Sequence, residues 1–67
     1  MTMQWHDHYE AGKLAFNEKN YEVAKEHFAE VIGVKDNFAD VHNMLGLISF
    51  DENFYDDAIK SFERALE

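Results

Sequence analysis

The side chains best able to do chemistry in this chain are its histidines, carboxylates and serines, and their spacing argues against a reactive site. His6-Asp7-His8 puts two imidazoles two residues apart, and on a helix such positions point to different faces. Helical metal pairs need spacings of three or four. His6 and Glu10 meet that requirement but have no further ligand nearby in sequence. His8 reappears as His42 in an internal repeat, which fits a packing role better than a ligand role. Ser49 and Ser61 are the only serines, and neither sits in a nucleophile elbow. There is no glycine-rich phosphate loop, and no cysteine to serve as nucleophile, thiolate ligand or disulfide. The chain is therefore expected not to be an enzyme, and no catalytic residue, metal, cofactor or small-molecule substrate is assigned to it.

Charge narrows the partners further. Fourteen acidic against six basic residues give a formal net charge of −8. Such a balance repels phosphate backbones and anionic lipid, so neither nucleic acid nor membrane is expected as a partner. The carboxylates are read as solvated faces that keep a small, sticky domain in solution. No apolar run approaches the roughly 18–20 residues that cross a bilayer. Met1-Thr2-Met3-Gln4-Trp5 has neither a basic leader nor an apolar stretch, which makes the cytoplasm the default expectation.

Apolar residues at 46% and aromatic residues at 15% are too many for a disordered tail, so the chain should fold. At 67 residues one core gives a thin stability margin, and small domains usually offset this with disulfides, metals or association. With no cysteine and no full ligand set, association or attachment to a longer parent remains.

The elements that carry these residues emerge from self-comparison. Shifted by 34, residues 5–33 fall on residues 39–67, and seven of 29 pairs are identical. They are His8/His42, Gly12/Gly46, Phe16/Phe50, Glu18/Glu52, Tyr21/Tyr55, Ala24/Ala58 and Phe28/Phe62. Chance would give about two, and fixed periods of this length mark helical repeats. Each unit reads as two helices. Tyr21, Ala24, Phe28, Val31 and Ile32 recur at helical spacing, as do Tyr55, Ala58, Ile59, Phe62, Ala65 and Leu66. Trp5, His8, Ala11, Gly12 and Ala15 precede the first set, and Val41, Leu45, Gly46 and Ser49 the second. Four helices are predicted near 4–17, 21–33, 38–51 and 54–66, with tight turns forcing antiparallel neighbours. Asn37 with Asp40 resembles a capping box, Asn20 and Asn53 sit at the inter-helix turns, and Gly33 is available as a helix terminator. Gly12 and Gly46 should admit close approach of the paired helix, with Ala24 and Ala58 as small partners and Phe28 and Phe62 one turn further on.

These residues resemble the tetratricopeptide repeat. His42-x-x-Leu45-Gly46, Phe50, Tyr55, Ala58-x-x-x-Phe62 and Ala65 follow its signature well. His8-x-x-Ala11-Gly12, Phe16, Tyr21, Ala24-x-x-x-Phe28 and Val31 follow it more loosely, with histidine at both leading aromatic positions and Asp36 at the terminal proline position. The resemblance implies an all-α fold: a single domain over 1–67 in which repeat one (about 5–37) and repeat two (about 38–67) form a short α-solenoid of four antiparallel helices. It also implies a scaffold for protein–protein recognition. Carried over position by position, a partner-binding groove would be lined by His6, Tyr9, Lys13 and Asn17, then Asp40, Asn43, Leu47 and Asp51. A carboxylate clamp of the kind some relatives carry is not expected, because its positions hold Tyr9, Lys13 and Met44.

The end of the array is the sharper expectation. Two repeats are fewer than usually bury their own faces, and no polar capping helix follows the second. Leu47, Phe50, Phe54, Phe62 and Leu66 should form an apolar patch, and Phe54 stands where the first unit has Asn20. A second copy of the chain, making a homo-oligomer, would cover it. So would a following unit, if the chain is an excerpt of a longer array whose groove binds an extended peptide.

Overall fold

A computed structural model describes residues 3–67; Met1 and Thr2, which open the stretch read as lacking a leader, lie outside the described residues. Apolar residues at three- and four-residue spacing, without proline, give four helices and no strand among them. These are α1 (Trp5–Asn17), α2 (Tyr21–Val34), α3 (Ala39–Asp51) and α4 (Tyr55–Leu66), each boundary within a residue of that expected. The chain divides into two compact units, the first running to Asp36 and the second from Asn37 to Glu67. No helix of the described residues is long and apolar enough to cross a membrane.

Within the first unit α1 packs on α2, and the pairs Phe16 with Tyr21, Gly12 with Phe28 and Trp5 with Lys35 show that they run antiparallel. Phe16 meets Tyr21 beside the turn with ring centroids 6.2 Å apart. Phe28 lies against Gly12 further along, and the Lys35 ammonium sits 4.8 Å from the centre of the Trp5 ring at the far end. The second unit repeats the arrangement with Phe50 against Tyr55 at 5.5 Å and Phe62 against Gly46.

Backbone bonds rather than asparagine side chains close the two inter-helix turns. After α1, Asn20 N–H donates to the Ala15 carbonyl at 2.8 Å and Lys19 N–H to the Phe16 carbonyl at 3.0 Å. After α3, Phe54 N–H donates to Ser49 and Asn53 N–H to Phe50 at the same two distances. Both are Schellman turns, which need a left-handed residue just past the helix. Lys19 (φ 60°) and Asn53 (φ 69°) supply it. Asn20 and Phe54 are the N-caps of the following helices, and neither makes a side-chain cap bond.

Two local expectations are corrected. The N-cap of α3 is Phe38, whose carbonyl receives the Val41 and His42 N–H groups. Asn37 is thus one residue too far upstream to cap with Asp40. The reciprocal contact of a capping box occurs instead at α1, where Gln4 N–H donates to the Asp7 carboxylate at 3.0 Å. Gly33 does not terminate α2: it lies inside the helix, without positive φ, and the helix ends one residue later.

The core is made of Ala15, Ala24, Phe28 and Val31 in the first unit and Val41, Ile48 and Ala58 in the second, with His42 the buried polar residue. The glycines explain how helices of these sequences come so close. A Cβ added at Gly12 would stand 2.5 Å from Phe28 Cε1, and one at Gly46 the same distance from Phe62 Cε1. Ordinary carbon contacts begin near 3.5 Å, so the glycines make room for a phenyl face rather than for the alanines first assigned to them. Ala24 and Ala58 are buried but are not what a side chain at Gly12 or Gly46 would strike.

Candidate protein-interaction surface

The groove residues stand on the first helix of each unit, at steps of three, four and four. His6 and Asn17 are exposed on α1, with Tyr9 and Lys13 half-buried between them. The Lys13 ammonium lies 4.5 Å from the centre of the Tyr9 ring and 3.3 Å from the Glu10 carboxylate, so aromatic face, cation and anion form one small array. Asp40, Asn43, Leu47 and Asp51 are all exposed on α3. The His6 imidazole is 3.9 Å from Asp7 and exposed. Among the described residues no group of three or more histidine, cysteine or carboxylate side chains could hold a metal ion.

The second unit carries the larger apolar exposure. Leu47 (44%), Phe50 (59%), Phe54 (57%) and Leu66 (88%) are open to solvent, as are Tyr55 (54%) and Ile59 (55%). Phe62 is half-buried, one side of its ring being committed to Gly46. Tyr55 and Ile59 are expected from their spacing among the packing residues of α4. They face outward because Ala58, Phe62 and Ala65 form the inner stripe, and positions 55 and 59 lie round the edge of it. The Phe50 and Tyr55 rings meet edge to face, and the Tyr55 hydroxyl donates to Asn53 Oδ1 at 2.8 Å, bracing the turn. Asn53, Phe54, Tyr55, Asp56 and Asp57 line a shallow depression there.

Comparison of equivalent positions sharpens the contrast. Where the first unit has Lys13, Asn20 and Lys25, the second has Leu47, Phe54 and Ile59, all exposed. Substituting apolar for polar groups at three solvent-facing positions of one repeat does nothing for that repeat's own core. The first unit also exposes Met3, Leu14, Val23 and Val34, none of them aromatic.

A cross-helix contact that self-comparison did not disclose joins His8 of α1 to His27 of α2. Their Nδ1 atoms are 3.1 Å apart and their ring centroids 5.3 Å, in a half-buried position. At that distance one Nδ1 carries the proton and the other accepts it, since two N–H groups would repel. His27 has no signal in the repeat, because its counterpart is Ser61.

The tetratricopeptide repeat family model matches residues 8–38 and again residues 39–67, together nearly the whole chain. No curated protein and no solved structure matches it.

Proposed function

Because the chain belongs to the tetratricopeptide repeat family, whose fold serves as a protein–protein interaction scaffold and not as a catalyst, we propose that its interaction is first of all with itself. The second unit's aromatic face is the contact surface, and a second copy of the chain is its occupant. The observation that carries this reading is the exchange of Lys13, Asn20 and Lys25 for the exposed Leu47, Phe54 and Ile59. Burying a large apolar side chain fully is worth about 1.5–3 kcal/mol relative to leaving it in water. Six such groups on one small unit, three of them aromatic, give association a larger driving force than the four non-aromatic ones exposed on the first unit. Asp56 and Asp57 line the same depression as Phe54 and Tyr55, setting charge beside the apolar groups, as at the polar edge of a specific interface.

Light scattering across a concentration series tests this. The parent chain is expected to exceed monomer mass. Phe54→Asn and Ile59→Lys, which install the first unit's own residues, are expected to shift it toward monomer with helicity retained. A parent that stays monomeric at every concentration, or variants that keep its mass, would refute the reading.

A second reading is capture of an extended peptide by the first helices, through His6, Tyr9, Lys13 and Asn17 and through Asp40, Asn43, Leu47 and Asp51. The exposed Asn43, able to bond a peptide backbone, and the Tyr9–Lys13–Glu10 array favour it. Lys13→Ala and Asn43→Ala should then weaken peptide capture without changing the oligomer, and unchanged capture by both would remove this assignment. The two roles compete at Leu47, which belongs to both surfaces, whereas the exposed face of α1 stays available in an oligomer formed through the second unit.

A further inference from the structure

The His8–His27 pair brings together two metal-capable side chains from different helices. We propose that it is a two-imidazole chelating site for a single divalent transition-metal ion of the Cu2+, Ni2+ or Zn2+ class. Two nitrogens bound to one such ion at about 2.0–2.1 Å stand roughly 2.9–3.4 Å apart, for bond angles between square and tetrahedral. The Nδ1 atoms already stand at 3.1 Å, within that window. The two helices thus already hold the rings within chelating reach of one another. The rings meet almost head-on, so each must pivot about its Cβ–Cγ bond until both lone pairs meet on the ion.

The proton balance is simple. One ring donates its Nδ1 proton to the other in the metal-free contact. To ligate, the donor ring shifts that proton to Nε2 through solvent, and both neutral rings then present a free Nδ1 lone pair. No net proton is released when both rings start neutral. The site is half-buried, so water reaches it and completes the coordination. No third histidine, cysteine or carboxylate joins the pair in a ligating group among the described residues. The ion is consequently held by two protein ligands and exchanges readily, unlike the closed four-ligand sites that build a fold. Its effect is to staple α1 to α2 across the first unit, a cross-link for which the second unit, with Ser61 opposite His42, has no equivalent pair of imidazoles.

The test is calorimetric titration of the tag-free chain with NiCl2 at neutral pH, with imidazole nitrogen shifts followed by NMR on adding ZnCl2. One ion per chain is expected, with the His8 and His27 Nδ1 resonances moving and those of His6 and His42 staying in place. His8→Gln and His27→Ser should each weaken binding about 100-fold, because the second ligation is then no longer intramolecular. His27→Ser copies the residue that the second unit already tolerates, so its fold is expected to survive. His6→Gln should leave binding unchanged. Absence of binding to the parent, equal affinity in the His8 and His27 variants, or loss on His6→Gln would each overturn the assignment.

Discussion

Replacing the three glycines one at a time by alanine separates packing from helix propensity, because each lies within a helix and they differ in what a methyl group would meet. Alanine is favoured over glycine in a helix by up to about 1 kcal/mol. At Gly33 nothing lies within 4 Å of the new Cβ, so Gly33→Ala should realise part of that gain, about 0.5 kcal/mol so near the end of α2. At Gly12 the methyl group would lie 2.5 Å from Phe28 Cε1 and 2.7 Å from Cδ1, an overlap on two ring atoms. Overpacking of this kind costs about 1–3 kcal/mol, which set against the propensity gain leaves a net loss of about 0–2 kcal/mol, toward the upper end where two ring atoms are struck. Gly46 has nearly the same contact, at 2.5 and 2.6 Å, but its partner differs in freedom. Phe28 is fully buried and has nowhere to go, whereas Phe62 is half-buried and can tilt outward. Gly46→Ala should therefore cost less than Gly12→Ala, roughly 0–1 kcal/mol. Urea denaturation followed by circular dichroism ranks the three, with Gly33→Ala above the parent and Gly12→Ala lowest. Combining Gly12→Ala with Phe28→Leu should destabilise by less than the sum of the two, because the ring that the methyl group strikes is gone. If Gly12→Ala raised stability as Gly33→Ala does, close approach of the Phe28 ring would not be the reason for the glycine.

Three further outcomes follow from the same geometry. Lys19 holds φ at 60°, and Lys19→Gly should stabilise the first turn by about 0.5–1 kcal/mol, read as a rise in urea midpoint; a fall would mean the side chain contributes more than the backbone strain. Ile48 is fully buried and its counterpart Leu14 is 61% exposed, so Ile48→Ala should cost about 2–5 kcal/mol and Leu14→Ala less than about 0.5, with similar losses from the two counting against the burial assignments. If copies meet through Phe54 and Tyr55, the Asp56 and Asp57 carboxylates of both chains approach one another, and added NaCl should strengthen association by screening them; weakening with salt would indicate a contact held by opposite charges instead.

The helices were legible because their signal is redundant. Small and aromatic residues recur at both 3.6- and 34-residue periods, and the polar turns between them are short. The turn chemistry was less so: asparagines suggested side-chain caps, yet the Schellman bonds are made by backbone groups whose partners depend only on where the helix stops. Lys19 gave no hint of its left-handed conformation, since lysine has no preference for it. The glycine contacts were half read, because spacing shows that a close approach exists but not whether a methyl or a phenyl group makes it. Ile48 was missed because its repeat partner Leu14 faces water, so comparing the units carries no sign of its burial. The His8–His27 contact escaped for a related reason: it joins two residues nineteen apart, only one of which recurs. Within the interaction surface, Phe54 was visible as a break in the repeat pattern, whereas Tyr55 and Ile59 were concealed by sitting at the margin of an apolar stripe.

The unequal enclosure of Phe28 and Phe62 also has a kinetic side. Each ring locks its helix pair over a glycine, but one lock is sealed and the other is open to water on part of its face. Opening a helix pair exposes its amides, and the free energy of opening is set by how much apolar contact must be undone. Amide protons of α4 should thus exchange with deuterium sooner than those of α2, at a rate governed by partial rather than global unfolding. An α4 that detaches while α1 and α2 stay paired is free to dock on the α3 of another chain, so the weaker lock gives two copies a route for trading helices.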